Sequence, residues 1–121
     1  MKMIRTPERR LSKMELKQIF EVQKTFDRRM HWNRYEECKT TEEILDFMKY
    51  YIMVTVEELG EICRIRKDTE RDNKGFDVKA LKHELVDLFV YLMQACMAVN
   101  MDLEKEYLTK MKQLEERFSV C

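Results

Sequence analysis

The chain has 121 residues, of which 45% are hydrophobic and 38% charged, with two glycines and one proline. That length suits one domain with a small core, and so few chain breakers argue against the turn-dense all-β classes. Basic and acidic residues balance at 23 each, which speaks against a dedicated binder of nucleic acid polymers, since such a surface carries a basic excess or patch. A single nucleotide stays open as a ligand.

High Leu, Met, Glu and Lys content favours helix. Thr6-Pro7-Glu8 has the form of a helix start: a capping hydroxyl, Pro at the first helical position and an acid in the first turn. The first helix is expected to run from there to about Met30, with Leu11, Met14, Ile19, Val22, Phe26 and Met30 along one buried stripe. His31-Trp32-Asn33-Arg34-Tyr35 breaks the pattern as an aromatic-rich connection. Thr40 with Glu43 forms a capping box. A second helix follows to about Lys67, its apolar period running through Leu45, Met48, Ile52, Val56, Leu59 and Cys63. Asp68 to Phe76 reads as a polar loop closed by Asn73 and Gly75.

Asp77 caps a third helix extending to about Val99. From Leu85 onward this helix is apolar nearly all round, as expected for a central element. Three other helices can hardly cover it in so short a chain, so burial in a homodimer or homotetramer interface is expected. Asn100 suits its C-terminal end, and Asp102 caps a fourth helix over 103–118. The fold class is therefore all-α, a four-helix bundle-type protomer with a central apolar third helix, oligomeric, in a single domain.

Cys38, Cys63, Cys96 and Cys121 form no Cys-x-x-Cys pair and do not resemble a zinc framework. Cys63 and Cys96 lie among apolar residues and read as core thiols, and a reducing cytoplasmic setting is expected. Lys2 and Arg5 precede no apolar stretch, so no signal peptide is expected. The most apolar window, 85–101, is interrupted by Asp87 and Gln94 and is too short to span a bilayer, so no membrane partner is expected.

Glu57-Glu58-Leu59-Gly60-Glu61 near the end of the second helix and Glu84-Leu85-Val86-Asp87 early in the third stand out against this background. Residues three or four apart share a helix face, so Glu58 and Glu61 are neighbours, as are Glu84 and Asp87, and Glu57 can reach the same side. If the two helices pack antiparallel across their connecting loop, the clusters face each other. Each close carboxylate pair would then be repelled by roughly 4 kcal/mol at an effective dielectric constant near 20. A hard divalent cation removes that penalty, and oxygen-only ligation suits Mg²⁺ or Mn²⁺. The bland alternative is a solvated acidic face paired with Arg64, Lys67 or Lys82. A ferritin-like di-iron site would require Glu-x-x-His on two helices, and neither His31 nor His83 follows a Glu at that spacing. Gly60 within a helix costs about 1 kcal/mol against Ala, for which close approach of a neighbouring helix or ligand is a reason.

Glu57-Glu58-x-x-Glu61 followed after one loop by Glu84-x-x-Asp87 resembles the E-E-x-x-E … E-x-x-D signature of the MazG-like nucleotide pyrophosphohydrolases. These belong to the all-α NTP pyrophosphatase superfamily, with its dUTPase, dCTP pyrophosphatase and phosphoribosyl-ATP pyrophosphohydrolase branches. The resemblance continues through Leu88-Phe89-Val90-Tyr91-Leu92, Asn100-Met101-Asp102-Leu103-Glu104, Lys110-Met111 and Arg117-Phe118.

It implies a Mg²⁺-dependent hydrolase that cleaves a (deoxy)nucleoside triphosphate to the monophosphate and pyrophosphate, in nucleotide-pool house-cleaning. Glu58, Glu61, Glu84 and Asp87 would hold the metal, and Glu57 or Glu61 would take the proton of the attacking water. Tyr91, seven residues after Glu84, resembles a Tyr lining the sugar–base pocket of dCTP-type members; its alternative is a core aromatic. Trp32 resembles an aromatic that stacks on the base, with a loop residue packed on the core as its alternative. Phe26 and Tyr35 are weaker candidates for the same role. Lys110 and Arg117 are candidates for the phosphates, with solvated surface charge as the alternative. The last helix departs from the family: Leu114 stands where an Asn is common, and Glu115 where a basic residue is. Two other functions stay open, a phosphoribosyl-ATP pyrophosphohydrolase-like enzyme and a non-catalytic helical interaction module.

Overall fold

Helical periodicity and capping residues resolve into four α-helices and one 3₁₀ turn in the computed structural model, which describes residues 14–119. These are α1 (Leu16–Met30), the 3₁₀ turn (Arg34–Glu37), α2 (Thr41–Glu70), α3 (Val78–Ala98) and α4 (Leu103–Phe118). Among the described residues there is no strand. None of their helices is by itself long and apolar enough to cross a membrane.

The start expected at Thr6-Pro7-Glu8 lies outside the described residues. A single helix running through to Met30 is not what forms, however, because Met14 and Glu15 are non-helical and Glu15 has extended backbone (φ −79°, ψ 160°). The Glu15 N–H donates to Gln18 Oε1 at 2.7 Å, one half of a capping box that begins α1 at Leu16. α1 closes at His31, which adopts the left-handed region (φ 60°). The other caps follow the expected residues. Thr40 Oγ1 accepts from the Glu43 N–H at 3.1 Å while Glu43 accepts from the Thr40 N–H at 3.0 Å. Asp77 accepts from the Ala80 N–H at 2.9 Å, and Asp102 from the Lys105 N–H at 3.2 Å. Asn100, one residue past the C-cap of α3, takes φ 54°, a conformation Asn tolerates.

α2 runs three residues further than its apolar pattern, to Glu70. The Thr69 hydroxyl bonds back to the Ile65 carbonyl and Arg66 pairs with Glu70, so polar groups carry the last turn. The connection to α3 is correspondingly short. Asn73 supplies its one left-handed residue (φ 53°), whereas Gly75 has no positive φ.

The chain divides into two compact units, residues 34–99 and the segments 1–33 with 100–121. In the first, α2 packs on α3. Phe47 meets Ala95 and Ala98, with Tyr35 of the 3₁₀ turn edge-on to the Phe47 ring at 6.5 Å between centroids. The two alanines leave room for the aromatic pair, and burying a side chain the size of Phe47 contributes about 1.5–3 kcal/mol. Tyr35, a weaker candidate for contacting a base, is thus a core residue, 2% exposed. In the second unit, Asp27 is fully buried and accepts a hydrogen bond from Gln23 Nε2 at 2.9 Å. The Asp27 carbonyl takes the Trp32 N–H at 2.8 Å, which ties the chain leaving α1 back to its last turn.

One expectation about the interior needs correction, the placing of Cys63 in the core. Cys96 is buried, but Cys63 is exposed, because it lies on the side of α2 that α3 does not cover. α3 is buried only in its C-terminal half, at Met93 to Cys96 and Ala98. Along its length Val78, Leu85, Leu92 and Val99, each seven residues apart, stay 38–51% exposed in the protomer. Gly60 is not closely approached: a Cβ there would meet nothing within 4 Å among the described residues. Replacing Gly60 by Ala should therefore stabilise the chain by about 0.5–1 kcal/mol, the helix-propensity difference. Chemical denaturation would read this as a higher midpoint with an unchanged slope.

Candidate metal centre

The antiparallel course of α2 and α3 decides which acids meet. Phe47 is level with Ala95 and Ala98, so moving forward along α2 means moving back along α3. Eleven residues beyond Phe47, Glu58 comes level with Glu84 and Asp87. Glu58, Glu84 and Asp87 each offer a carboxylate oxygen within 4.8 Å of the other two. All three side chains are half-buried. Glu58 Oε1 is buried and has no hydrogen-bond partner among the described residues.

The electrostatics follow from that crowding. The Glu58 carboxyl is pushed up from its ordinary 4.5 to about 7. A hydrogen bond with Glu84 is the largest cause, burial the next, followed by the charges of Glu84, Asp87 and Glu61. Without a cation the group keeps a proton on Glu58 to separate the charges. His83 Nε2 lies 3.5 Å from Asp87 Oδ2, one turn earlier on α3, and pairs with it when protonated. Sequence reasoning set His83 aside as a metal ligand. The signal that finds it is its i,i+4 spacing to Asp87.

Glu61 is not drawn into the three-carboxylate group; its Oε1 is 3.8 Å from Arg64 Nε, one turn on. Glu57 is exposed on the neighbouring strip of α2. Tyr91 is half-buried beside the acids. Its hydroxyl is pushed above its ordinary value, first by burial, then by Tyr50 and by the charges of Glu58, Asp87 and Glu57. Trp32, Lys110 and Arg117 belong to the other unit. Trp32 is 55% exposed and edge-on to Phe26 at 5.6 Å, so neither of the two aromatics is core in the manner of Tyr35. The Arg117 guanidinium lies over the Phe118 ring at 5.0 Å, and Lys110 is exposed.

Three carboxylates from two helices, one with a buried unpartnered oxygen, make an all-oxygen donor set that fits a hard divalent cation such as Mg²⁺ or Mn²⁺. Comparison with known proteins returned no match to a family model, a curated protein or a solved structure.

The raised Glu58 value has a signed consequence. The folded chain holds this proton to about pH 7, whereas an unfolded Glu releases it near 4.5. The resulting stabilisation is complete below the unfolded value and is lost as pH rises through the folded one. A shift of this size corresponds to at most about 3.5 kcal/mol, and solvent on the open side of the site reduces it to about 1–2 kcal/mol. Metal-free protein should lose that much between pH 4.5 and 8 relative to Glu58→Gln, read as the difference between their denaturation curves.

Proposed function

We propose that the protein is a Mg²⁺-dependent nucleoside triphosphate pyrophosphohydrolase that cleaves a (deoxy)NTP to the monophosphate and pyrophosphate, on the pattern of the MazG-like enzymes its acidic motif resembles. The observation that carries this reading is the meeting of Glu58, Glu84 and Asp87 with a buried carboxylate oxygen left unpartnered. A merely solvated acidic face would have its oxygens in water.

Glu58, Glu84 and Asp87 would hold the cation, and Glu61 would complete the set by exchanging its Arg64 partner for it. When bound, Mg²⁺, or Mn²⁺ in its place, neutralises phosphate charge and lowers the pKa of a coordinated water. The protein's part is positioning. A water adds to the α-phosphorus, the bond to the α–β bridging oxygen breaks, and pyrophosphate leaves with that oxygen. The water's proton would pass to a carboxylate, Glu57 or Glu61. Tyr91, half-buried one turn beyond Asp87, supports the reading as a wall for the sugar or base.

The exposed apolar rows fit a homodimer or homotetramer of bundle-type protomers. Val78, Leu85 and Leu92 repeat every seven residues on α3, with Val99 at its C-cap, and Leu45, Ile52 and Leu59 do so on α2. A seven-residue apolar period is what a supercoiled helix pair buries. Sedimentation should give a mass of at least two chains, and Leu85→Glu with Leu92→Glu should shift it toward one.

The enzymatic reading is tested by pyrophosphate release across a panel of canonical and modified triphosphates with Mg²⁺. Glu58→Gln and Asp87→Asn should each lower the rate by about 100-fold or more, at least the upper end of what changes around metal ligands produce. Their circular dichroism should stay helical, and the Mg²⁺-dependent rise in melting temperature should disappear. No release from any triphosphate at high enzyme concentration would mean the reaction is wrong.

A further inference from the structure

The acidic group shares a wall with a cleft that the reaction above leaves unused. The cleft, of about 330 Å³, opens between the last turns of α2, the connection at 71–77 and the first turn of α3. Glu61 and Glu84 line the side toward the three carboxylates, and Arg64 and Lys74 bring two cations from different elements. Lys74 is placed by the loop's own bonding. Its backbone N–H donates to the Asp68 carbonyl at 2.8 Å, and its Nζ lies 3.9 Å from the Asp68 carboxylate. Arg64 reaches the cleft from α2, where its nearest acid is Glu61 at 3.8 Å.

Both ion pairs are longer than a charge-assisted hydrogen bond, which closes to about 2.7–2.9 Å. Both cationic side chains are also about two-thirds exposed. Exposed pairs of this kind contribute little, so exchanging the carboxylate for a better anion is inexpensive. A phosphate is such an anion: the Arg fork takes two of its oxygens and Lys acts as a point charge. The acids in the lining, Glu61, Asp68, Asp77 and Glu84, outnumber the two cations. A bare anion is therefore not favoured there until a divalent cation occupies the neighbouring carboxylates.

We infer that Arg64 and Lys74 anchor the distal phosphates of the substrate, the two that depart as pyrophosphate, and that they do so only when the metal is in place. This rests on the triphosphate reading for the identity of the anion. It assigns the cleft to the leaving group and puts the nucleoside on the opposite side of the acids, toward Tyr91.

The test is titration of inorganic pyrophosphate into the full chain with saturating Mn²⁺ and without it. Wild-type protein should bind only with the metal. Arg64→Gln and Lys74→Gln should each weaken binding by about tenfold, the worth of one charge-assisted hydrogen bond. Arg64→Lys should recover part of the loss, and Lys49→Gln, at an exposed cation remote from the cleft, should match wild type. The Mn²⁺-dependent melting shift without pyrophosphate should be retained in the anchor variants, showing folded protein with an intact metal group. Pyrophosphate affinity within twofold of wild type when Arg64→Gln and Lys74→Gln are combined, or no wild-type binding with Mn²⁺, would overturn the anchor. Failure of the reaction is seen separately, as absent turnover of every triphosphate. Turnover with unchanged KM in both variants would remove the anchor and leave the reaction standing.

Discussion

Mutual repulsion among Glu58, Glu84 and Asp87 is the constraint around which the rest of the 34–99 unit is arranged. Carboxylate oxygens within 4.8 Å of one another are not a state that a free pair of helices would choose. The opposing force comes from the other end of the pair, where Tyr35 and Phe47 close on Ala95 and Ala98. That apolar contact sets how near α2 and α3 lie and in what register, and the acids have to follow. The same crowding pushes the Glu58 carboxyl up to about 7, and a divalent cation would offset the repulsion with charge.

α3 carries two kinds of surface side by side. Glu84 and Tyr91 fall on one row, and Leu85 and Leu92 on the next, rotated by about 100°. The acids and the aromatic look toward α2, while the leucines remain exposed. The cleft lined by Arg64 and Lys74 lies at the loop end of the same helix pair.

Much of this was legible in the residues, and the failures have physical causes. Thr40 with Glu43, Asp77, Asn100 and Asp102 mark helix ends because each satisfies backbone groups within a few residues of itself. The apolar stripe does not mark where α1 begins, because a Glu15–Gln18 capping box sets that start by local polar bonds. α2 was expected to stop early because its last turn is held by Thr69 and an Arg66–Glu70 pair, which leave no trace in a hydrophobic pattern. Cys63 and Gly60 were assigned neighbours that the protomer does not provide. Periodicity states that a face is apolar without saying what covers it.

The division between sequence and tertiary structure follows the range of the interactions. Helix content, caps, the two acidic clusters and the apolar seams are local, decided within a turn or two, and the sequence by itself determined them. Which acids meet was decided by packing. Glu58 joins Glu84 and Asp87, while Glu61, spaced just as well along α2, stays with Arg64. The difference is one of rotation about the helix, fixed by the seating of Phe47 against two alanines on α3. The cleft that unites Arg64 with Lys74 arises the same way, because a hydrogen bond from the loop to Asp68 brings together residues whose spacing along the chain predicts no contact.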